Sequence, residues 1–352
     1  MKKFFSILLA MLGLNTNTAC AEQNYSNIDV DEFARFIRQA QVQLLDVRTA
    51  KEFAAGHISG ANLLDMQCKG FEQQAQHRLD PSRPVAVYCR SGKRSAIAAG
   101  KLADLGFKVT NLEGGILAWT EAKMPTVKGS AECDVFTTAS GKRLEFHALL
   151  HGSIRIVFDG TEIEVDPVTK LGNRTIDFAS MPKAQYILVT HEHGDHFDKQ
   201  AIATLTADDT QLITNRRCAD MLGYGKALSN GDTLQQPHFL LEAVPAYNIT
   251  EGHLQFHPKG RDNGFVLTID GMRIYIAGDT EDIPEMDSLK DIDIAFMPCN
   301  QPYTMTPEQL INAATRVKPK VLFPYHYGQT DVSGIAEALK GQGIDVRIRH
   351  YE

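Results

Sequence analysis

The sequence has no hydrophobic run long enough to cross a bilayer. Its one prominent apolar stretch, Phe4 to Leu14, is about 11 residues long, against the roughly 20 a spanning helix needs. Cysteine is scarce, six in 352 residues, too few and too scattered for a disulfide framework. Glycine (27) and proline (14) are too sparse for a collagen-like or disordered chain. There is no basic tract, and the formal net charge is −7. Nucleic-acid binding therefore has no electrostatic support. No internal repeat or low-complexity tract is visible. What remains is an ordinary globular composition. At roughly 100–200 residues per domain, it predicts two domains.

The start of the chain reads as an export signal. Lys2 and Lys3 precede the apolar run, and Thr18-Ala19-Cys20-Ala21 follows it. Cleavage after Ala21 would satisfy the small-residue rule and begin the mature chain at Glu22. Alternatively, Cys20 takes a lipid, as in a bacterial lipoprotein. Residues 1–21 are thus expected to direct export, to the periplasm or to a lipid anchor at Cys20, with no transmembrane span in the mature chain. Cleavage after Ala21 leaves Cys68, Cys89, Cys133, Cys218 and Cys299, an odd set with at least one free thiol. All but Cys89 are expected to be packing residues, because a free cysteine behaves as a small hydrophobe.

Residues 22–125 alternate strand and helix patterns. Short apolar strands at Val42–Leu45, Val85–Tyr88 and Val109–Leu112 are separated by helical stretches at Asp31–Gln39, Ala50–Ala55 and Ser95–Leu105. A further helix is expected at Ile116–Glu121. This alternation predicts a parallel sheet covered by helices on both faces. A polar stretch with Pro125 and Gly129 marks a linker over 126–132. From 133 to 352 the pattern is richer in strands. They are expected at 144–149, 154–158, 161–165, 186–190, 264–269, 272–277, 294–297 and 321–325, with helices at 199–206, 218–222 and 306–317.

Between the strand ending at Tyr88 and the next helix lies Cys89-Arg90-Ser91-Gly92-Lys93-Arg94-Ser95. A cysteine in a loop whose backbone N–H groups curl toward a helix start sits where anions are favoured and a thiolate is stabilised. Arg90, Lys93 and Arg94 add positive charge. Such a thiolate can attack sulfur and hold it as a persulfide. This loop, Leu45-Asp46-Val47-Arg48, Glu52-Phe53, Gly56 to Ala61, and Gly114-Gly115 with Trp119 resemble a single rhodanese domain over about residues 25–127. The resemblance implies that Cys89 carries sulfur, that Asp46 and Arg48 form a structural pair beside it, and that Arg94 is the loop-closing cation. The C-x4-R loop length implies sulfur rather than phosphate as the ligand.

The strand Tyr186–Thr190 runs into His191-Glu192-His193-Gly194-Asp195-His196. Three imidazoles and a carboxylate packed this closely suit zinc, iron or manganese. His191 and His193 can face one way and Asp195 and His196 another, making two neighbouring sites. H-x-H-x-D-H is the signature of the metallo-β-lactamase fold, an αββα sandwich. The remainder of the chain is similar to the branch holding ascorbate-6-phosphate lactonase and the N-acylphosphatidylethanolamine-hydrolysing phospholipase D. His151-Gly152-Ser153, Asp166-Pro167, Val244 to Tyr247, Gly278-Asp279-Thr280 and Phe323 to Tyr327 carry that likeness. It implies that Asp279 bridges two metals, that His326 completes the second site, and that His151 lies close behind. The family usually has a histidine where this chain has Asn248. The third ligand of the first site is therefore open between His257, the nearest replacement, and Asn248, with His253 less favoured. His57, His77, His147, His238 and His350 have no partner cluster and read as structural or exposed.

Together the resemblances imply an exported enzyme joining a sulfurtransferase to a hydrolase. Two divalent ions, zinc first with iron or manganese as alternatives, would activate water, and Asp195 would also orient it. Small-molecule sulfane-sulfur donors and acceptors are the implied partners of the first domain. A small anionic, ester, amide or phosphoester substrate is implied for the second. Lys259 and Arg261 are candidate anchors for an anion, and Tyr303 a candidate lining residue. Two alternatives stand beside this reading: iron-dependent persulfide oxidation, and a non-catalytic sulfur carrier.

Overall fold

Alternating apolar strands and helices build the first half of the chain around one parallel sheet. The computed structural model describes residues 24–39, 41–68, 70–126, 132–349 and 351. The expected export segment, most of the expected linker and His350 lie outside them. The first unit runs β1 (Ser26–Ile28), α1 (Val30–Phe36), β2 (Gln43–Asp46), α2 (Ala50–Ala55), β3 (Asn62–Leu63), α3 (Phe71–Arg78), β4 (Val85–Tyr88), α4 (Lys93–Asp104), β5 (Val109–Leu112) and α5 (Gly115–Glu121). All its strand pairs are parallel, in the order β1-β5-β4-β2-β3. Both faces are covered. Leu45, Val85 and Val87 pack into one apolar cluster with α3 and α4. Leu44, Ala86 and Tyr88 pack into another with α1, α2 and α5. Burial on two faces explains why these strands read as continuous apolar runs.

The second unit begins with β6 (Glu132–Thr137), β7 (Arg143–Leu150), β8 (Ser153–Phe158), β9 (Thr161–Val165) and a small hairpin, β10 (Lys170–Leu171) with β11 (Arg174–Thr175). It continues through β12 (Tyr186–Val189), α6 (Lys199–Leu205), β13 (Gln211–Thr214), α7 (Arg216–Leu222), β14 (Lys226–Ala227), β15 (Thr233–Gln235), β16 (Leu240–Ala246), β17 (Asp262–Ile269) and β18 (Met272–Ile276). It ends with β19 (Ile294–Pro298), α8 (Pro307–Val317), β20 (Val321–Tyr325), α9 (Ile335–Ala338) and β21 (Asp345–Val346). Two seven-stranded sheets result, ordered β14-β13-β12-β9-β8-β7-β6 and β15-β16-β17-β18-β19-β20-β21. Alternate residues of β7 and β8 (Leu144, Phe146, Ile154, Ile156) meet Phe265, Leu267, Ile274, Phe296 and Phe323 of the other sheet. Their outer faces pack under α6 and α7 on one side and α8 and α9 on the other. This is the αββα sandwich expected of the second half, beside the rhodanese-like parallel sheet expected of the first.

Some elements were not evident from the sequence. Among its described side chains, helix α3 buries only Phe71 and Ala75 in an otherwise polar stretch, so its period is faint. Strand β17 begins two residues before its expected start and β6 was not anticipated, because both carry polar residues at pairing positions.

Candidate metal centre

The chemically loaded loops all leave one end of the sandwich. The H-x-H-x-D-H turn follows β12, Asp166 follows β9, Asp279 follows β18 and His326 follows β20. These are carboxyl ends of strands paired in parallel, where α/β sheets place functional groups. His151, in the β7–β8 turn, joins them. His151, Asp166 and His326 hold positive φ angles of 56°, 44° and 47°, strain of the kind that collects at functional sites. Gly152 is bare for a reason: a Cβ there would lie 2.6 Å from the His196 ring.

Two groups of donor atoms converge, each with its ligand atoms within 4.8 Å of one another. In the first, His191 Nε2 lies 3.1 Å from His193 Nδ1. Asp279 Oδ2 is 3.8 Å from His191 Nε2 and 3.4 Å from His257 Nε2. In the second, Asp195 Oδ2 lies 3.2 Å from His151 Nε2 and 3.6 Å from His326 Nε2. Asp279 reaches this group too, with Oδ1 3.3 Å from His196 Nε2 and Oδ2 3.3 Å from His326 Nε2. Its carboxylate thus stands between the two groups.

A ring of partners orients these ligands. Asp166 Oδ2 lies 2.8 Å from His196 Nδ1 and accepts from the Thr190 hydroxyl at 2.7 Å. That hydroxyl is 2.9 Å from His191 Nδ1. Asp262 Oδ2 is 3.1 Å from His257 Nδ1. With their outer nitrogens engaged, these rings aim the other nitrogen inward. There, His196 Nε2, His326 Nε2 and Asp279 Oδ1 are buried with no hydrogen-bond partner. Orphaned buried donors around a shared carboxylate are what a cation would satisfy.

The electrostatics favour metal-ready forms at several ligands. His196 is the exception: burial would lower its imidazole, but the Asp279 and Asp166 carboxylates push it well above the ordinary range. Burial and neighbouring imidazoles push His191 well below the ordinary histidine range, and burial also lowers His193 and His326. Burial alone would raise Asp279, but the charges of His196 and His326 overcome it and hold the carboxyl well down. Asp195 is likewise held low, burial being outweighed by the hydrogen bond with His151 and by the neighbouring His326 and His196 imidazoles. Neutral imidazoles and ionised carboxylates are the forms that bind metal.

His257, not Asn248, stands with the first group. Asn248 instead braces the loop: its Nδ2 donates to Tyr303 O at 2.8 Å and its N–H to His257 O at 2.9 Å. His253 faces Glu281, 3.3 Å away. His151, expected behind the site, presents its Nε2 within the second group. The expected anion anchors are already paired. Lys259 bonds Glu285 at 2.8 Å, and Arg261 bonds Asp262 at 2.7 Å.

In the first unit, Cys89 directly follows β4 and is fully buried. Arg48 grips Asp46 through Nε at 2.9 Å and also donates to Gly56 O at 2.7 Å. Arg94 makes a two-pronged bond to Glu52 at 2.5 and 2.8 Å, which holds the Glu52 carboxyl down at about 2. Ile116 and Leu117 N–H groups clamp the Cys89 and Arg90 carbonyls at 2.8 and 3.1 Å. Cys218 and Cys299 pack in apolar clusters. Cys133 and His147 do not fit their expected roles: they meet Glu145 in a polar cluster on β6 and β7. Strand register brought them together, and one sequence does not reveal register.

Fold and site together define a two-unit chain whose second half is of the metallo-β-lactamase type. A beta-lactamase superfamily domain profile matches residues 145–326, just over half the chain, and a rhodanese-like domain profile matches 29–122. The chain belongs to the beta-lactamase superfamily and is a metal-dependent hydrolase preceded by a rhodanese-like domain. A UPF0173 metal-dependent hydrolase of Archaeoglobus fulgidus is 29% identical over 184 residues, 47% of this chain and 78% of that protein. One from Thermus thermophilus is 27% identical over 215 residues, 57% of this chain and 94% of that protein. A crystal structure of a metal-dependent hydrolase from Parabacteroides distasonis shares 52% identity, covering 63% of this chain and 100% of that one, with a TM-score of 0.61. Igni18, a metallo hydrolase of Ignicoccus hospitalis, shares the fold at 22% identity over 58% of this chain and 94% of that one, TM-score 0.51.

Proposed function

We propose that the second unit is a two-metal hydrolase and the first a sulfurtransferase working through Cys89. One observation carries the hydrolase reading: two buried donor groups meet at the single carboxylate of Asp279. His191, His193, His257 and Asp279 would hold one ion. Asp195, His196 and His326, with Asp279 between, would hold the other, and His151 lies alongside. When bound, two divalent ions, zinc first and iron or manganese as alternatives, supply Lewis acidity and ionise water near neutral pH. Asp195, ionised and half-buried, would accept a hydrogen bond from a water and orient it. His151 Nε2, 3.2 Å from Asp195, is placed to hold that carboxylate in position.

The rim favours a substrate with an apolar part. Ile249, Leu254 and Tyr303 are exposed near His257, and the Tyr303 ring stands edge-on to Phe256 at 5.1 Å. With Lys259 and Arg261 committed to carboxylates, an ester, lactone, amide or phosphoester that carries an apolar group suits this rim better than a small anion without one. In the first unit the Cys89 thiolate would attack the outer sulfur of a sulfane donor. The donor's S–S bond breaks, and an acceptor thiol or cyanide later removes the sulfur. Residues 1–21 would deliver the chain to the periplasm or to a lipid anchor.

The test compares wild type with Asp279→Asn, both purified without chelator. The variant should lose about two zinc ions per chain. Its turnover of nitrophenyl esters, lactones and bis(nitrophenyl) phosphate should fall by at least about 100-fold. A wild type holding about one iron, little zinc and consuming oxygen with a persulfide would overturn the hydrolase reading.

A further inference from the structure

We propose a third metal site, for a zinc-like divalent cation, formed by Cys133, Glu145 and His147 on the outer face of β6 and β7. It lies apart from both donor groups of the hydrolase centre. Antiparallel pairing sets Cys133 directly opposite His147. Glu145 lies two residues earlier on β7, so its side chain shares that face.

The three donor atoms form a triangle. Cys133 Sγ is 3.7 Å from His147 Nε2 and 3.8 Å from Glu145 Oε2, and those two are 3.1 Å apart. A tetrahedral zinc ion about 2.3 Å from sulfur and about 2.0–2.1 Å from nitrogen and oxygen requires edges of about 3.6, 3.6 and 3.3 Å. The observed triangle is one face of that tetrahedron to within about 0.2 Å.

A nucleophilic triad would look different. There the cysteine and the carboxylate engage opposite ring nitrogens of the histidine. Here both meet the same Nε2, so the three atoms point at a common centre. Cys133 and His147 are also 1% and 2% exposed, as buried as His257 and Asp279 of the hydrolase centre. Arg143 Nε donates to the other carboxylate oxygen, Oε1, at 2.6 Å. That leaves Oε2 as a single ligand and offsets its charge. Burial and the Glu145 charge push the Cys133 thiol well up, so binding would displace one proton to the solvent.

The site faces the first unit. Cys133 N–H donates to Asn62 Oδ1 of β3 at 3.2 Å, and the Arg143 guanidinium packs against Gly60, where a Cβ would collide with it. An ion here would stiffen the strands against which the rhodanese-like unit rests.

Cobalt(II) loaded into the full chain tests this, because the hydrolase donor groups contain no thiol. A near-ultraviolet thiolate-to-cobalt charge-transfer band is expected in wild type and in Cys89→Ser. It should vanish, with one equivalent of metal, in both Cys133→Ser and His147→Gln. Two variants are used so that misfolding of one, judged by circular dichroism, leaves the other to decide. Absence of the band from fully loaded wild type overturns the site, as does its survival in either folded variant.

Discussion

At the scale of single residues, Glu164 is costly to hold charged. It is 1% exposed, and neither of its oxygens finds a hydrogen-bond partner. The nearest cation, Arg155, is 3.7 Å away and already bonded to Glu162 at 2.7 Å. Burial pushes the Glu164 carboxyl up to about 8, the Glu162 charge adds to this, and Arg155 opposes it. An unfolded glutamate loses its proton near 4.5, so between those values the folded state binds the extra proton. Stability from this group is therefore full below the unfolded value, falls as pH rises through the window, and levels off above about 8. Glu164→Gln should remove that slope and stabilise the protein by roughly 2–4 kcal/mol at about pH 9 while changing little at about pH 4.5. Urea unfolding of both proteins at the two pH values measures it. Parallel pH profiles would show that Glu164 ionises freely in the fold.

At the scale of elements, the cysteine loop depends on how α5 starts. Gly115 holds φ +60°, and a Cβ there would collide with Cys89 O and approach Gly92 N to 2.7 Å. Gly115→Ala must therefore move the loop that shapes the thiol. Destabilisation by about 1–3 kcal/mol is expected, with thiosulfate-to-cyanide transfer falling more than about tenfold toward the Cys89→Ser baseline. Full transfer with unchanged stability would mean the loop geometry does not control Cys89. Elements also divide what the sequence reveals from what it hides. The Cys89 loop and the His191–His196 turn are local, so the sequence alone shows their residues gathered together. His257 is only partly legible. It lies nine residues beyond Asn248, and only the fold shows that Asn248 braces the loop while His257 turns inward. Cys133 and His147 are 14 apart and meet only through the β6–β7 register. A one-residue slip would have put them on opposite faces. Helix α3 escaped for a different reason, since two buried residues make no visible period.

Across the whole molecule, the two units keep separate cores. The apolar clusters of the first draw on residues up to Met124, and those of the second start at Phe136. Contacts between the units include polar ones, Asn62 with Cys133 and Gly60 against Arg143. Separate cores joined by a polar seam should unfold as two transitions rather than one. The chain's single tryptophan makes this measurable. Trp119 is buried in the first unit, edge-on to Phe33 at 6.3 Å, with its Nε1 donating to Pro125 O at 2.8 Å. Its fluorescence therefore reports that unit alone, whereas circular dichroism reports both. All proposed metal ligands belong to the second unit. An ion at 100 times its dissociation constant stabilises the state that binds it by about 2.7 kcal/mol. For a unit of this size that corresponds to about 5–10 °C. Chelation should thus lower the second transition by at least that much and leave the tryptophan transition in place. If the tryptophan transition fell equally, the seam would be coupling the units, and the rhodanese-like sheet would owe its stability to metal bound in its neighbour.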